Sequence, residues 1–370
     1  MQKILSLLTI INIQYSLLPF STSFAQQTPP LPDPSAIIIS ETTDTIIIPI
    51  EAQQAFNDGI TELGNKNYHG AIEKFDAAIR LEPRFIKPFY NRAVAKYELK
   101  NYNGAIQDYS SVIEKDTVNK ADNAYFGRGQ AKYSKGDKDG AIVDYTKAIE
   151  INPKKENYYY NRGGGKFQKE DYNGAVADFD KAIAMKPDYA YAYNDRGSAK
   201  RMLNNIEGAI KDYHQAIIND PKLPFTYNNL GSAKKKKNDF KGAVEEYSQS
   251  IKLKPDYYIA FNNRGSVKYE LGDFNGAIED FSAALKINPK YAFAYNNRAA
   301  AKYKIRDYKG AISDCNKAIE LDSKYGFAYA TRGIAKEMIR DKSACDDWQK
   351  ASELGVNNAK SFIETSCGND

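Results

Sequence analysis

The chain has 370 residues, with 52 Lys and Arg against 47 Asp and Glu, a formal charge of +5. Basic and acidic residues are interleaved, so no basic stripe of the kind that grips nucleic acid is present. The two histidines, His69 and His214, lie far apart in sequence, which argues against a zinc site or a histidine-based triad.

The chain opens on Lys3, a mostly apolar stretch from Ile4 to Leu18, and Ser23-Phe24-Ala25, small residues where a signal peptidase needs them. Asn12 and Gln14 interrupt the stretch, which falls short of the ~20 apolar residues of a spanning helix. Residues 1–25 therefore read as a secretory signal, with an uncleaved anchor as the competing reading. The expectation is an exported chain, periplasmic or secreted and associated with a bacterial envelope, with no integral membrane segment after cleavage. No Cys follows Ala25, which speaks against a lipid anchor. Residues 26–50 form a linker, extended by Pro29, Pro30, Pro32 and Pro34. Its runs Ile37–Ile39 and Ile46–Ile48 have two readings: loose packing on the first repeat, or a strand-like tag for a partner's sheet edge.

From residue 51 the chain repeats itself. Gly-Ala-(Ile/Val) recurs at Gly208, Gly242, Gly276 and Gly310, 34 residues apart. A fixed period of this size means a repeat array. Each copy reads as two helices. The first carries Tyr-Asn-Arg-Gly-x-Ala-Lys-Tyr or a close variant. The second carries small residues seven apart, such as Ala141 and Ala148, with an aromatic between them at Tyr145, and Pro153 beyond its end. First-helix small residues at Gly59, Ala93, Gly129, Gly163, Gly197, Gly231, Gly265, Ala299 and Gly333 number nine copies over 51–355. Two extra residues near Thr117–Asp122 should bulge one turn, and the ninth copy lacks one residue before Ala344. Residues 356–370 form a C-terminal cap, with a last helix expected over 354–365 and Val356, Ala359, Phe362 and Ile363 on one side.

Period and slots resemble the tetratricopeptide repeat (TPR) family. The resemblance implies an all-α fold, a right-handed solenoid of about nine antiparallel helix pairs with a concave groove and a capping helix. No copy can bury its apolar face alone, so neighbours must cover it.

The copies also report on each other. One residue before the small slot stand Arg92, Arg128, Arg162, Arg196, Arg264, Arg298 and Arg332. Sixteen residues on stand Asp108, Asp144, Asp178, Asp212, Asp280 and Asp314, with Asp347 fifteen on. The first copy has Asp58 and Lys74, both signs reversed, which predicts contact. The sixth, with Leu230 and Glu246, is the one copy without the pair. The bridge should join the two helices of one copy, or adjacent copies.

Beside that arginine lie Asn91, Asn161, Asn229, Asn263 and Asn297, and one place earlier Asn194, Asn228, Asn262 and Asn296. Tyr97, Tyr133, Tyr269 and Tyr303 share their helical face. In TPR superhelices this face lines the groove, and the resemblance implies an asparagine ladder that holds an extended peptide by its main chain. Asn offers donor and acceptor together, as a peptide backbone requires. The alternative is that these asparagines only satisfy neighbouring helices.

The rest reads as scaffold. Lys234–Lys237 are solvent-facing lysines, or else a site for an acidic peptide. Gly163–Gly165 lie inside a first helix and lack the Lys-Ser/Thr of a phosphate loop. Trp348 and Cys315 occupy aromatic slots and should be core. Export makes a Cys345–Cys367 disulfide reasonable. No nucleophile–base constellation appears and no cofactor is implied, so the chain reads as a non-enzyme. The expected function is a scaffold or adaptor that takes a protein or peptide ligand in its groove. The runner-up is an accessory factor in outer-membrane or surface-polysaccharide assembly that binds an enzyme or a glycan.

Overall fold

The computed structural model describes residues 47–116 and 121–367. The signal reading of 1–25 and nearly all of the linker lie outside the described residues. Ile47 is within them and is 89% exposed, so at this residue the linker does not pack on the first repeat.

Among the described residues there are 19 α-helices and no strand. The chain divides between Asn219 and Asp220 into two compact units. The described part of the first holds α1 (Ile50–Gly64), α2 (Tyr68–Leu81), α3 (Ile86–Glu98), α4 (Tyr102–Lys115), α5 (Asp122–Lys135), α6 (Lys138–Ile151), α7 (Glu156–Gln168), α8 (Tyr172–Met185), α9 (Ala190–Met202) and α10 (Ile206–Asn219). The second holds α11 (Pro224–Lys236), α12 (Phe240–Leu253), α13 (Tyr258–Glu270), α14 (Phe274–Ile287), α15 (Ala292–Lys304), α16 (Tyr308–Leu321), α17 (Gly326–Met338), α18 (Ala344–Glu353) and α19 (Ala359–Ser366). Within each unit every helix packs on the next, and odd-numbered helices also touch across one repeat, as α3 does with α5 and α13 with α15. The result is an all-α solenoid of nine helix pairs. In each unit the first helices of the pairs share one surface.

The repeat closes around one contact. In the third pair Ala141 and Ala148 are fully buried and Tyr145 is 1% exposed. A Cβ on Gly129 would lie 2.7 Å from the Tyr145 ring, so the small slot and the aromatic slot are two sides of one joint. Gly163 with Phe179, Gly265 with Phe281 and Gly333 with Trp348 repeat it. Burying such a ring stabilises by about 1.5–3 kcal/mol. The turn between helices has its own device, which the sequence reading passed over. Asp137, Asp171, Asp239, Asp273 and Asp307 cap the second helices, each accepting from the N–H of a glycine three residues on. A side chain at Gly140 would collide with the Asp137 carboxylate, so the recurrent Gly makes room for its own cap.

The ends differ from the middle. α1 turns Gln53, Gln54, Asn57 and Thr61 to solvent, the polar outer face that a terminal repeat needs. The residue lost before Ala344 leaves α18 with 10 residues, against 14 in α16. The last helix begins at Ala359 rather than Leu354, because Gly355 takes φ +85° and breaks the chain direction there. Val356, Ala359 and Phe362 are buried as expected. The insertion after α4 falls mostly on 117–120, outside the described residues. Beyond it, Ala121 sits at φ +46° and Asp122 is fixed by Tyr158 Oη and Asn152 Nδ2, both at 2.9 Å.

Candidate functional site

All seven predicted Arg–Asp pairs form, each as a two-pronged bond. Arg264 Nε donates to Asp280 Oδ2 at 2.9 Å and Nη2 to Oδ1 at 2.7 Å. Arg92–Asp108, Arg128–Asp144, Arg162–Asp178, Arg196–Asp212, Arg298–Asp314 and Arg332–Asp347 share this geometry. Both proposed joins are real, because the arginine spans two repeats. Its Nη1 reaches the preceding second helix, at Ser248 from Arg264 and at Ser282 from Arg298, each at 3.0 Å. Its guanidinium lies over an aromatic ring three residues back, as Arg264 does over Phe261.

The sequence reading missed a third member. Four residues after each arginine a lysine bonds the same aspartate: Lys268 to Asp280 at 2.9 Å, Lys302 to Asp314 at 2.9 Å. The spacing i, i+4 on one helix face was the available signal. This lysine also corrects the reading of the sixth repeat. There Leu230 replaces the arginine, but Lys234 holds Glu246 at 2.5 Å, so the pair survives through the lysine slot. The reversed first-repeat pair, Lys74–Asp58, is looser at 3.7 Å and half exposed on both sides.

The basic run is not uniformly solvent-facing either. Lys234 is in that bridge and Lys235 is half-buried, while Lys236 and Lys237 are exposed. Burial pushes the Lys235 ammonium down to about 7, against the opposing pull of Glu270.

The asparagines lie on the face shared by the first helices, and all of them but Asn263 are buried there. In the second compact unit Asn263 Nδ2 donates to Asn228 Oδ1 at 3.0 Å, and Asn297 Nδ2 to Asn262 Oδ1 at 3.1 Å. These two bonds are cross-repeat rungs between the columns. In the first unit the pattern differs. Asn91 Nδ2 donates to the Lys87 carbonyl and Asn161 Nδ2 to the Asn157 carbonyl, at 3.0 and 2.8 Å. Those carbonyl acceptors fix the amide orientation and turn each Oδ1 away. Asn91 Oδ1 and Asn161 Oδ1 have no hydrogen-bond partner among the described residues, and between them on α5 neither end of the buried Gln130 amide has one. Asn194 Nδ2 bonds the carboxylate of Asp195, which also accepts from Tyr160 Oη at 2.8 Å. Asn229 and Asn296 lie on the same helix face, buried, on α11 and α15.

Three of the four tyrosines are braced by their own repeat. Tyr97 packs on Tyr102, Tyr269 on Phe274 and Tyr303 on Tyr308, with centroids 5.2–5.5 Å apart. Tyr97 Oη also meets Ser134 Oγ at 2.9 Å. Burial raises the phenol pKa of all four, Tyr133 included. They frame the surface more than they reach from it.

At the far end Cys345 and Cys367 are joined by a disulfide, Cα atoms 5.9 Å apart. Cys315 is a free thiol, fully buried, and burial raises its pKa. Among the described residues no cluster of His, Cys, Asp and Glu could hold a metal, and no helix is long and apolar enough to cross a membrane.

A family model described as TPR repeat matches residues 129–164, 166–202, 231–272 and 265–305, and one described as tetratricopeptide repeat matches 294–325. The matched stretches are tetratricopeptide repeats. Among solved structures, a tetratricopeptide repeat protein from Parabacteroides merdae is 18% identical with a TM-score of 0.52, covering 70% of this chain and 98% of its own. That likeness shows the fold. MamA is 27% identical, covering 44% of this chain and 96% of its own, with a TM-score of 0.41. YrrB, described as a TPR protein with an unusual peptide-binding site, is 22% identical, covering 50% and 95%, with a TM-score of 0.42. No curated protein matches the chain. A TPR array of this kind is a protein-interaction scaffold.

Proposed function

We infer that the shared face of the first helices holds an extended stretch of a partner protein by its main chain. The observation that carries this reading is the Gln130 amide, buried with neither end bonded among the described residues, flanked on α3 and α7 by the buried, unbonded acceptors of Asn91 and Asn161. A buried polar atom left unpaired costs about 1–3 kcal/mol, so three neighbouring repeats carry a penalty that a ligand would relieve. Extended peptide supplies N–H and C=O groups at regular intervals, the complement of acceptor, amide and acceptor in line. The scaffold works outside the cytosol. In support stand the signal-like residues 1–25 and the Cys345–Cys367 bond, since structural disulfides belong to oxidising compartments. Catalysis is not part of the reading.

The test is Asn91→Ala, Gln130→Ala and Asn161→Ala combined, against peptides selected on the wild-type chain from a random displayed library. Each lost bond is worth about 0.5–1.5 kcal/mol, so affinity should fall by roughly ten-fold to a thousand-fold. Stability should hold or rise, because unpaired polar groups leave the interior. Unchanged affinity would refute this use of the face.

A further inference from the structure

The cap repeats the slots of a first helix. Counting on from Ala344 and Ala351, Val356 stands in the slot that Pro289 fills, Phe362 in that of Phe261, and Ser366 in the small slot of Gly265. α19 therefore stands in the place of a first helix. Interior first helices are clamped from both sides, by the preceding pair and by their own partner. Among the described residues α19 packs on α18. Eight residues make a marginal helix in isolation. What holds it is Phe362 stacked on Trp348 at 5.2 Å, Val356 and Ala359 against Ala351 and Phe327, a bond from Ser366 Oγ to Glu337 Oε1 at 3.0 Å, and the disulfide.

The disulfide stands where other repeats have only packing. The slot of Cys345 is filled by Ile142 in the third repeat, which lies against Gly165 of the fourth, one residue beyond the slot of Cys367. At this joint a covalent bond is added to the packing. Both of its cysteines are half-buried, within reach of a reagent, whereas Cys315 is fully covered.

We propose that Cys345–Cys367 is a redox latch on the C-terminal end of the array. A dithiol reductant opens it by two exchanges. Its first thiolate attacks one sulfur and releases the other cysteine; its second thiol then displaces the mixed disulfide. Two electrons and two protons pass to the protein, giving two cysteine thiols, and the reductant leaves as its own disulfide. With the latch open, α19 separates from α18 and bares Trp348 and Ala351, which Phe362, Val356 and Ala359 cover in the closed state. The bond closes a loop of sequence separation 22, for which the closing equilibrium shifts by on the order of a hundred-fold.

Amide exchange on the full chain, with and without dithiothreitol, tests the latch. Reduction should speed exchange across 359–366 by about ten-fold or more, while 258–270 on α13 keeps its rate. A chain carrying Cys345→Ser and Cys367→Ser should show the fast rate without reductant, and Cys315→Ser the slow one. A smaller change across 359–366 would overturn the latch, leaving Phe362 on Trp348 as sufficient. So would alkylation of three thiols in the unreduced, denatured chain.

Discussion

The charge triad makes the sharpest demand on experiment. Asp280 is 3% exposed and receives two bonds from Arg264 and one from Lys268. Asp280→Ala leaves both cations without their shared anion, and breaking a buried pair in this way costs about 3–5 kcal/mol. The Arg264 side chain keeps 19% exposure, which tempers the figure toward about 3. Arg264→Ala leaves Asp280 with Lys268 but also severs the bond to Ser248 in the preceding repeat, for a loss of about 2–3 kcal/mol. The double variant should lose less than the sum, by about 1–3 kcal/mol. Urea unfolding of the four chains, fitted with a nearest-neighbour repeat model because array unfolding is not two-state, gives the coupling. Strict additivity would mean that the two side chains do not act through each other. In the sixth repeat Lys234→Ala removes one bond rather than two and should cost less than Arg264→Ala.

Gly163→Ala places a methyl 2.9 Å from the Phe179 ring and should destabilise by about 1–3 kcal/mol, whereas Gly64→Ala, with nothing within 4 Å at a helix end, should stabilise by up to about 1 kcal/mol; urea midpoints check both. The Gly163–Gly165 run should let α7 exchange its amides faster than α13, because helix-interior glycine costs about 1 kcal/mol relative to Ala; equal rates would refute it. Lys235 titrates near 7 when folded and near its ordinary value when unfolded, so the fold favours its neutral form. Stability should therefore rise as pH goes from about 7 toward about 10.5, and Lys235→Met should remove that rise in urea midpoints.

The repeat period and its slots carried most of the fold, because a solenoid is built from contacts between neighbours and each copy states them again. Gly129 and Tyr145 are legible as one joint once nine copies show the same two slots. The reversed signs of Asp58 and Lys74 revealed a contact that one copy alone would have hidden. What escaped was chemistry with more than two members. Lys268 looks like an ordinary surface lysine until its aspartate is placed between it and Arg264, and the Asp137 cap looks like turn composition until the Gly140 N–H points at it. The last helix was misplaced by five residues because a left-handed glycine ends one helix and delays the next, and apolar spacing alone does not see backbone sign.

The asparagines show where copy-counting stops. Identical slots need not carry identical bonds. Asn263 and Asn297 donate across repeats to another asparagine, while Asn91 and Asn161 donate back to their own helix. The difference follows from the preceding column. Asn228 and Asn262 offer an acceptor one repeat before Asn263 and Asn297, whereas Phe56 and Phe126, one repeat before Asn91 and Asn161, offer no amide. One array therefore bonds its asparagines in two ways: cross-repeat rungs in the second compact unit, and bonds back to the same helix on either side of a buried, unbonded Gln130 in the first. Asn228→Ala and Asn262→Ala each remove a rung acceptor and should cost about 0.5–1.5 kcal/mol in urea midpoints. If ligand grips the first unit around Gln130, the chain carrying both should bind its selected peptides as tightly as wild type. Weakened peptide affinity would place the grip on the second unit.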